Sequence, residues 1–239
     1  MKRITIEQFI SAKTAYSRRE ILALIKKGSV YHNGHVVTSI SLKINPVSDT
    51  IKIGKTAISG RLTFYYYKFH KPRDVITTFS DPNNRKDLSS FLEGYHESLF
   101  PVGRLDRNTT GLLILTNDGH FAHQISHPKF KLNKTYKVTL DKPFTKPHFQ
   151  RLQTGIMLPD GPIVYTGATM ISDSSLMLTL SEGRNRIIRK TFELLGYDVK
   201  KLHRDSIGPL ELGTLPKGTL KPFNKSEIST FKKIGIAFS

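Results

Sequence analysis

The sequence predicts an α+β fold: a mainly antiparallel mixed sheet flanked by helices, preceded by a small basic N-terminal unit of short helices and a hairpin. Three observations carry this reading. Two capping boxes open short segments with an apolar face within the first 30 residues. From residue 62 onward, strand-like alternation recurs without a regular strand–helix–strand rhythm. Neither a GxGxxG nor a P-loop pattern appears, so a dinucleotide or nucleoside-triphosphate fold has no support.

The elements follow in order. Thr5 and Gln8 have capping-box spacing, with Ile6, Phe9 and Ile10 as an apolar face. Ser17 and Glu20 form a second box, and the helix after it runs through Ile21, Leu22, Leu24 and Ile25 to Gly28, with Lys26 and Lys27 in its last turn. Ser29–His32 and His35–Val37 flank Asn33-Gly34, a hairpin signal. The polar stretch 54–60, with glycine at both ends, is read as the domain boundary, giving an N-terminal domain over 1–55 and a second over 61–239. In the second domain, strands are expected at Leu62–Phe69, Gly111–Thr116, Thr135–Leu140 and Leu176–Leu180. A helix is expected from about Asn185 to Leu195, with Gly196 as its C-cap.

Composition bounds the function. Of 239 residues, 38% are hydrophobic, enough for a core, while 37 Lys and Arg against 19 Asp and Glu leave a net charge of +18. That surplus points to a polyanionic partner. With no cysteine, disulfide frameworks, thiolate metal sites and cysteine nucleophiles are excluded. No run approaches the roughly 20 apolar residues of a membrane span, and Glu7, Gln8 and Lys13 interrupt any apolar leader. A cytoplasmic, nucleic-acid-associated chain without membrane attachment is the expectation.

Charge placement sharpens it. Arg18 and Arg19 occupy the first turn of the second helix, where the helix dipole disfavours cations by about 0.3–1 kcal/mol. Read functionally, two arginines and a helix N-terminus face phosphates together. The plainer alternative is a solvated charge pair.

The loop Gly103–Gly111 sets one carboxylate, Asp106, between Arg104 and Arg107. Flanking guanidinium groups would hold it ionised and oriented, which suits a nucleophile or an electrostatic stabiliser better than a general acid. A loop salt bridge is the plainer alternative. Tyr136 lies on the apolar face of an expected strand, and Arg184, Arg186 and Arg189 lie in a loop running into a helix. Taken singly, these are a core tyrosine and a phosphate-binding patch, just as Lys71-Pro72 singly ends a strand. His120, His123 and His127 are spaced as zinc ligands on one helical face, but apart from Asp118 no acidic fourth ligand stands near; no metal is expected.

Two resemblances unite these features. Ser17-Arg18-Arg19-Glu20, the helix after it, then Gly28, Val30 and Asn33-Gly34 resemble the S-four-type RNA-binding module over roughly residues 2–54. The longer sequence Gly103-Arg104-Leu105-Asp106 with Thr109 to Gly119, His127-Pro128, Lys134-Thr135-Tyr136 and Gly183 to Arg189 resembles the pseudouridine synthases, in the ribosomal RNA type that carries such a module. The chain departs from the family pattern at Ile187, where Gln is more frequent, and at His70, where Asn is more usual.

The resemblance implies an αL-type N-terminal module and a catalytic domain, acting as a monomer on ribosomal RNA without a cofactor. It implies that Asp106 attacks the ribose anomeric carbon or promotes glycosidic cleavage there. Tyr136 is implied to stack on the target base and assist removal of the C5 proton, and Arg189 to pair with the aspartate. Arg104 is implied to hold the RNA with the base extruded, and Ile188 to form the pocket floor. Arg18, Arg19, Lys26, Lys27, Arg184 and Arg186 are then backbone contacts. A non-catalytic RNA-binding protein descended from a synthase is the alternative; Asp106, Tyr136 and Arg189, all intact, favour the enzyme.

Overall fold

A computed structural model describes residues 3–60, 62–95 and 98–239; the expected domain starts at 1 and 61 lie outside these. The first unit is built of β1 (Ile4–Thr5), α1 (Ile6–Lys13), α2 (Arg18–Lys26), β2 (Val30–His32), β3 (His35–Val36), β4 (Lys43–Ile44), β5 (Ile51–Ile53) and β6 (Thr56–Ile58). Both capping boxes close: the Thr5 hydroxyl accepts from the Gln8 amide at 3.1 Å while Gln8 Oε1 accepts from the Thr5 amide at 2.9 Å, and Ser17 and Glu20 repeat the exchange. Each cap is worth about 1 kcal/mol. Both helices turn their apolar faces inward, with Ile6, Phe9, Ile10, Ile21 and Ile25 packing against Val30, Ile44 and Ile51.

The stretch 54–60 differs from the expected linker. Gly54 adopts φ +56° and turns the chain into β6, which pairs with β5 as the edge of the sheet β3-β2-β5-β6. Glycine serves here as a hairpin turn rather than a hinge, so regular structure in the first unit continues to Ile58.

The second unit is organised around a mixed sheet of nine strands among the described residues. β7 (Tyr66–Lys71), β8 (Phe100–Val102), β9 (Thr109–Thr116) and β10 (Lys134–Leu140) come first. The small hairpin of β11 (Ile156–Leu158) and β12 (Gly161–Ile163) stands apart. β13 (Gly167–Ser172), β14 (Ser175–Leu180), β15 (Val199–Ile207), β16 (Leu210–Glu211) and β17 (Leu220–Pro222) complete the sheet. Its order is β13-β14-β10-β15-β9-β7-β17, with β16 on β15 and β8 on β9. Only the β9–β15 pair is parallel; the fold is α+β and mainly antiparallel.

Four helices flank it: α3 (Gly119–Ser126), α4 (Lys146–Thr154), α5 (Ile187–Leu194) and α6 (Lys225–Lys233). On one face Val138, Leu178 and Leu202 pack with Leu152, Ile188 and Phe192. On the other, Leu112 and Ile114 pack with Phe121 and Phe231. Alternation along each strand divides the two cores.

Two boundaries shift for local reasons. The strand expected from Leu62 begins at Tyr66, because the Asn117 side chain takes the backbone upstream: its Oδ1 accepts from the Tyr65 amide at 2.8 Å and its Nδ2 donates to the Thr63 carbonyl at 2.9 Å. The helix expected from Asn185 begins at Ile187, because Arg186 is left-handed at φ +52°, a conformation incompatible with a helix interior. Ile188, Phe192 and Leu195 are buried as the periodicity requires.

Candidate active site

The loop after β8 is pinned from below. Lys71, at the end of β7 and fully buried, donates through Nζ to the carbonyls of Pro72 (3.1 Å), Arg107 (3.3 Å) and Thr109 (2.9 Å). The Thr77 hydroxyl donates to the Leu105 carbonyl at 2.7 Å, and the Asp74 amide donates to the Arg107 carbonyl at 2.9 Å. With its backbone so held, the loop presents Asp106 outward into a cavity of about 740 Å³.

Tyr136 from β10 and Ile188 at the first turn of α5 are part of the same lining. Arg104, Arg184 and Arg186 stand around the same cavity. The fold thus collects three segments far apart in sequence at one concavity, which gives a planar, polar-edged ligand both a ring to stack on and a carboxylate beside it.

The electrostatics differ from the flanking-arginine expectation. Arg107 lies in a turn closed by the Thr109 amide donating to the Asp106 carbonyl at 3.0 Å, and its Nε stands 3.4 Å from the Asp74 carboxylate. Lys71 and Arg189 feel Asp106, whose carboxylate in both opposes the downward effect of burial on the pKa. Burial still wins at each. Lys71 falls to about 8 from the usual 10.5, and half-buried Arg189 is lowered in direction. Arg189 donates to the Val199 carbonyl at 2.8 Å. No ion pair between it and Asp106 closes within 4.0 Å among the described residues, so the pairing implied by the resemblance is electrostatic here rather than a contact.

Lys71 makes a pH prediction. Its folded-state value lies below that of the unfolded chain. Between about pH 8 and 10.5 the unfolded chain therefore holds more protons, and stability from this group rises with pH through that window. Urea titrations should show wild type gaining on Lys71→Met as pH goes from 7.5 to 10. A constant difference would refute it.

The other expected residues are placed as follows. Arg186 and Arg104 are exposed. Arg184 is engaged within the protein, with Glu182 (2.6 Å), the carbonyls of Asp160, Gly161 and Pro162, and the Asp160 carboxylate (3.2 Å). Its visible task is to lock the loop before α5 onto the β11–β12 hairpin. Arg18, Arg19, Lys26 and Lys27 are exposed on α2 of the first unit; Arg18 lies 3.7 Å from Glu7. None of these four lines the cavity. The histidines serve locally: the His123 and His127 rings lie 4.7 Å apart, and His127 Nδ1 accepts from the Lys129 amide. Asp118 caps α3 and accepts from the Tyr66 hydroxyl at 2.7 Å and from the Ser239 amide and hydroxyl.

Two residues of the site escaped the sequence reading. Lys71 passed for a strand end, and Arg204 was not singled out. Arg204 is 4% exposed on β15, opposite Tyr136 and Gly111. It lines the cavity and donates from Nη1 to the Tyr136 oxygen at 3.4 Å. The available signal was a cation at the apolar parity of the strand, two positions after Leu202.

Comparison with known proteins agrees with this architecture. The family description "RNA pseudouridylate synthase" matches residues 65–194. The chain is 34% identical to the ribosomal large subunit pseudouridine synthase B of Bacillus subtilis (strain 168), over 96% of each chain. It is 34% identical to an uncharacterized RNA pseudouridine synthase of Aquifex aeolicus (strain VF5), over 100% of this chain and 98% of that one. It is 31% identical to the ribosomal small subunit pseudouridine synthase A of Pasteurella multocida (strain Pm70), over 95% of this chain and 99% of that one. A solved crystal structure of a pseudouridylate synthase superposes with a TM-score of 0.68 at 30% identity, covering 95% of this chain and 99% of the other. With a family description spanning more than half of its length and relatives above 30% identity along nearly all of it, the chain belongs to the RNA pseudouridylate synthases, a family of isomerases.

Proposed function

We propose that the chain converts a uridine of ribosomal RNA to pseudouridine, with Asp106 acting at the ribose and Tyr136 on the flipped base. The single observation that carries this reading is the meeting of Asp106, Tyr136 and Ile188 at one cavity of about 740 Å³, wide enough for a nucleotide lifted from its stack. Extrusion costs a few kcal/mol. A net charge of +18 and arginines 104 and 186 at the mouth offset it by contacts to phosphate. The reaction breaks one C–N bond and makes one C–C bond within the same nucleotide. Its atoms balance without a redox partner. Relatives named for both ribosomal subunits support rRNA as the substrate class. Mapping pseudouridine in the rRNAs of cells with and without the protein tests the activity and names the position. Identical maps would overturn it.

In this reading the first unit is the S-four-type module, and exposed Arg18 and Arg19 grip the RNA backbone. Replacing both with alanine is expected to weaken binding and flatten its dependence on salt, by roughly one unit of slope per lost phosphate contact. Filter binding across a salt series measures it, and an unchanged slope argues against backbone contacts there.

A further inference from the structure

Arg204 is a cation in the wrong place for stability. It is 4% exposed, and burying a guanidinium is costly unless a carboxylate or a full set of acceptors compensates. Neither is present among the described residues. Nε donates to the Leu112 carbonyl at 2.8 Å, Nη1 reaches the Tyr136 oxygen at 3.4 Å, and buried Nη2 has no acceptor. Its charged neighbours worsen matters, since Lys71 and Lys134 are both cations that it pushes toward the neutral form. The guanidinium carbon also lies 6.0 Å from the centre of the Tyr136 ring. Gly111 opposite makes room for it, because a Cβ there would collide with the Arg204 backbone. A buried, underpaired cation fixed against a phenol has an electrostatic use only when negative charge develops on that oxygen.

We propose that Arg204 is a positioning residue for Tyr136, holding the phenol oxygen and supporting negative charge on it while it takes the proton from uracil C5. This rests on the pseudouridine reading above. Once C5 has bonded to the ribose carbon, the C5–H bond breaks and its proton goes to the phenolate oxygen. The bonding pair becomes the C5=C6 bond, the C6=N1 pair moves to N1, and N1 takes up one proton from solvent. The phenolate arises beforehand by loss of the phenol proton to solvent, which is where negative charge develops on the oxygen, and the C5 proton restores the phenol; protons and electrons balance, and Arg204 is unchanged. Arg204 makes or breaks no bond in these steps; it acts through the Tyr136 oxygen, to which its Nη1 donates at 3.4 Å.

The test uses the full chain in single turnover on transcribed rRNA carrying hydrogen or deuterium at uridine C5, with Arg204→Gln and Arg204→Lys beside wild type. Arg204→Gln is expected to slow isomerisation roughly a hundredfold, the scale of a positioned proton-transfer group. RNA affinity stays within a few-fold, and the C5 isotope effect rises above the wild-type value because proton removal has become limiting. Arg204→Lys, which keeps the charge, recovers part of the rate. A rate within threefold of wild type overturns the proposal. So does a slow Arg204→Gln whose isotope effect is unchanged, since a merely structural defect slows every step alike. If Arg204→Gln fails to fold, Arg204→Lys decides on the same two readings. Wild type that forms no pseudouridine on either rRNA overturns the functional reading itself, and this inference with it. Active wild type with an indifferent Arg204 overturns this inference alone.

Discussion

Replacing Asp106 with alanine should abolish pseudouridine formation, lowering the single-turnover rate by more than about a thousandfold, as expected when one member of a reacting group is removed. RNA affinity should stay within a few-fold. The carboxylate is exposed in the cavity and bears no side-chain hydrogen bond among the described residues, so its loss leaves no buried partner stranded. The loop keeps its shape because its anchors are the backbone contacts made by Lys71, Thr77 and Asp74. The arginines at the cavity mouth remain to hold phosphate. Tritium release from uridine C5 and a filter-binding isotherm measure the two quantities separately. Near-normal turnover by Asp106→Ala would remove the carboxylate from the mechanism. A large loss of affinity would make it a binding residue instead.

The second large effect concerns stability. Gly111→Ala is expected to cost about 3 kcal/mol or more. Gly111 sits in β9 at φ +108°, a conformation that disfavours any side chain. It also faces β15 across the one parallel pair of the sheet, so closely that an added Cβ would overlap the Arg204 backbone. Relief requires β9 and β15 to separate, and those strands carry the Asp106 loop and the Arg204 guanidinium. Urea unfolding should show a lower midpoint with an unchanged slope, and the remaining folded fraction should isomerise slowly. A loss under about 0.5 kcal/mol, typical of a surface change, would mean that the close approach is absent in solution. Gly111 was legible only as part of the Gly103–Gly111 motif. Its physical task, admitting a neighbouring backbone, depends on a strand some ninety residues away.

Local rules fared best where local forces decide. The capping boxes at Thr5 and Ser17, the Asn33-Gly34 hairpin and the alternation of β10 each involve residues within a few positions, and each is found as read. The motif around Asp106 was legible through its resemblance to a family, and the structure places it at the cavity with Tyr136 and Ile188. Errors fell where a distant side chain replaced a local partner. Asn117 took the Tyr65 amide and the Thr63 carbonyl just upstream of β7, and Arg107 lies beside Asp74.

By itself, then, the sequence determined the class of the fold and the basic charge that calls for a polyanion, and its family resemblance led to expecting Asp106, Tyr136 and Ile188 together, which the structure places around one cavity. Only the tertiary structure decided which cations surround that site. Lys71 and Arg204 are distant in the chain, unremarkable in composition and buried by strands that meet through the parallel pairing of β9 with β15. Charge is felt through space and burial is a property of the assembled sheet, so a linear reading weighs the arginines beside Asp106 and misses the buried Lys71 and Arg204.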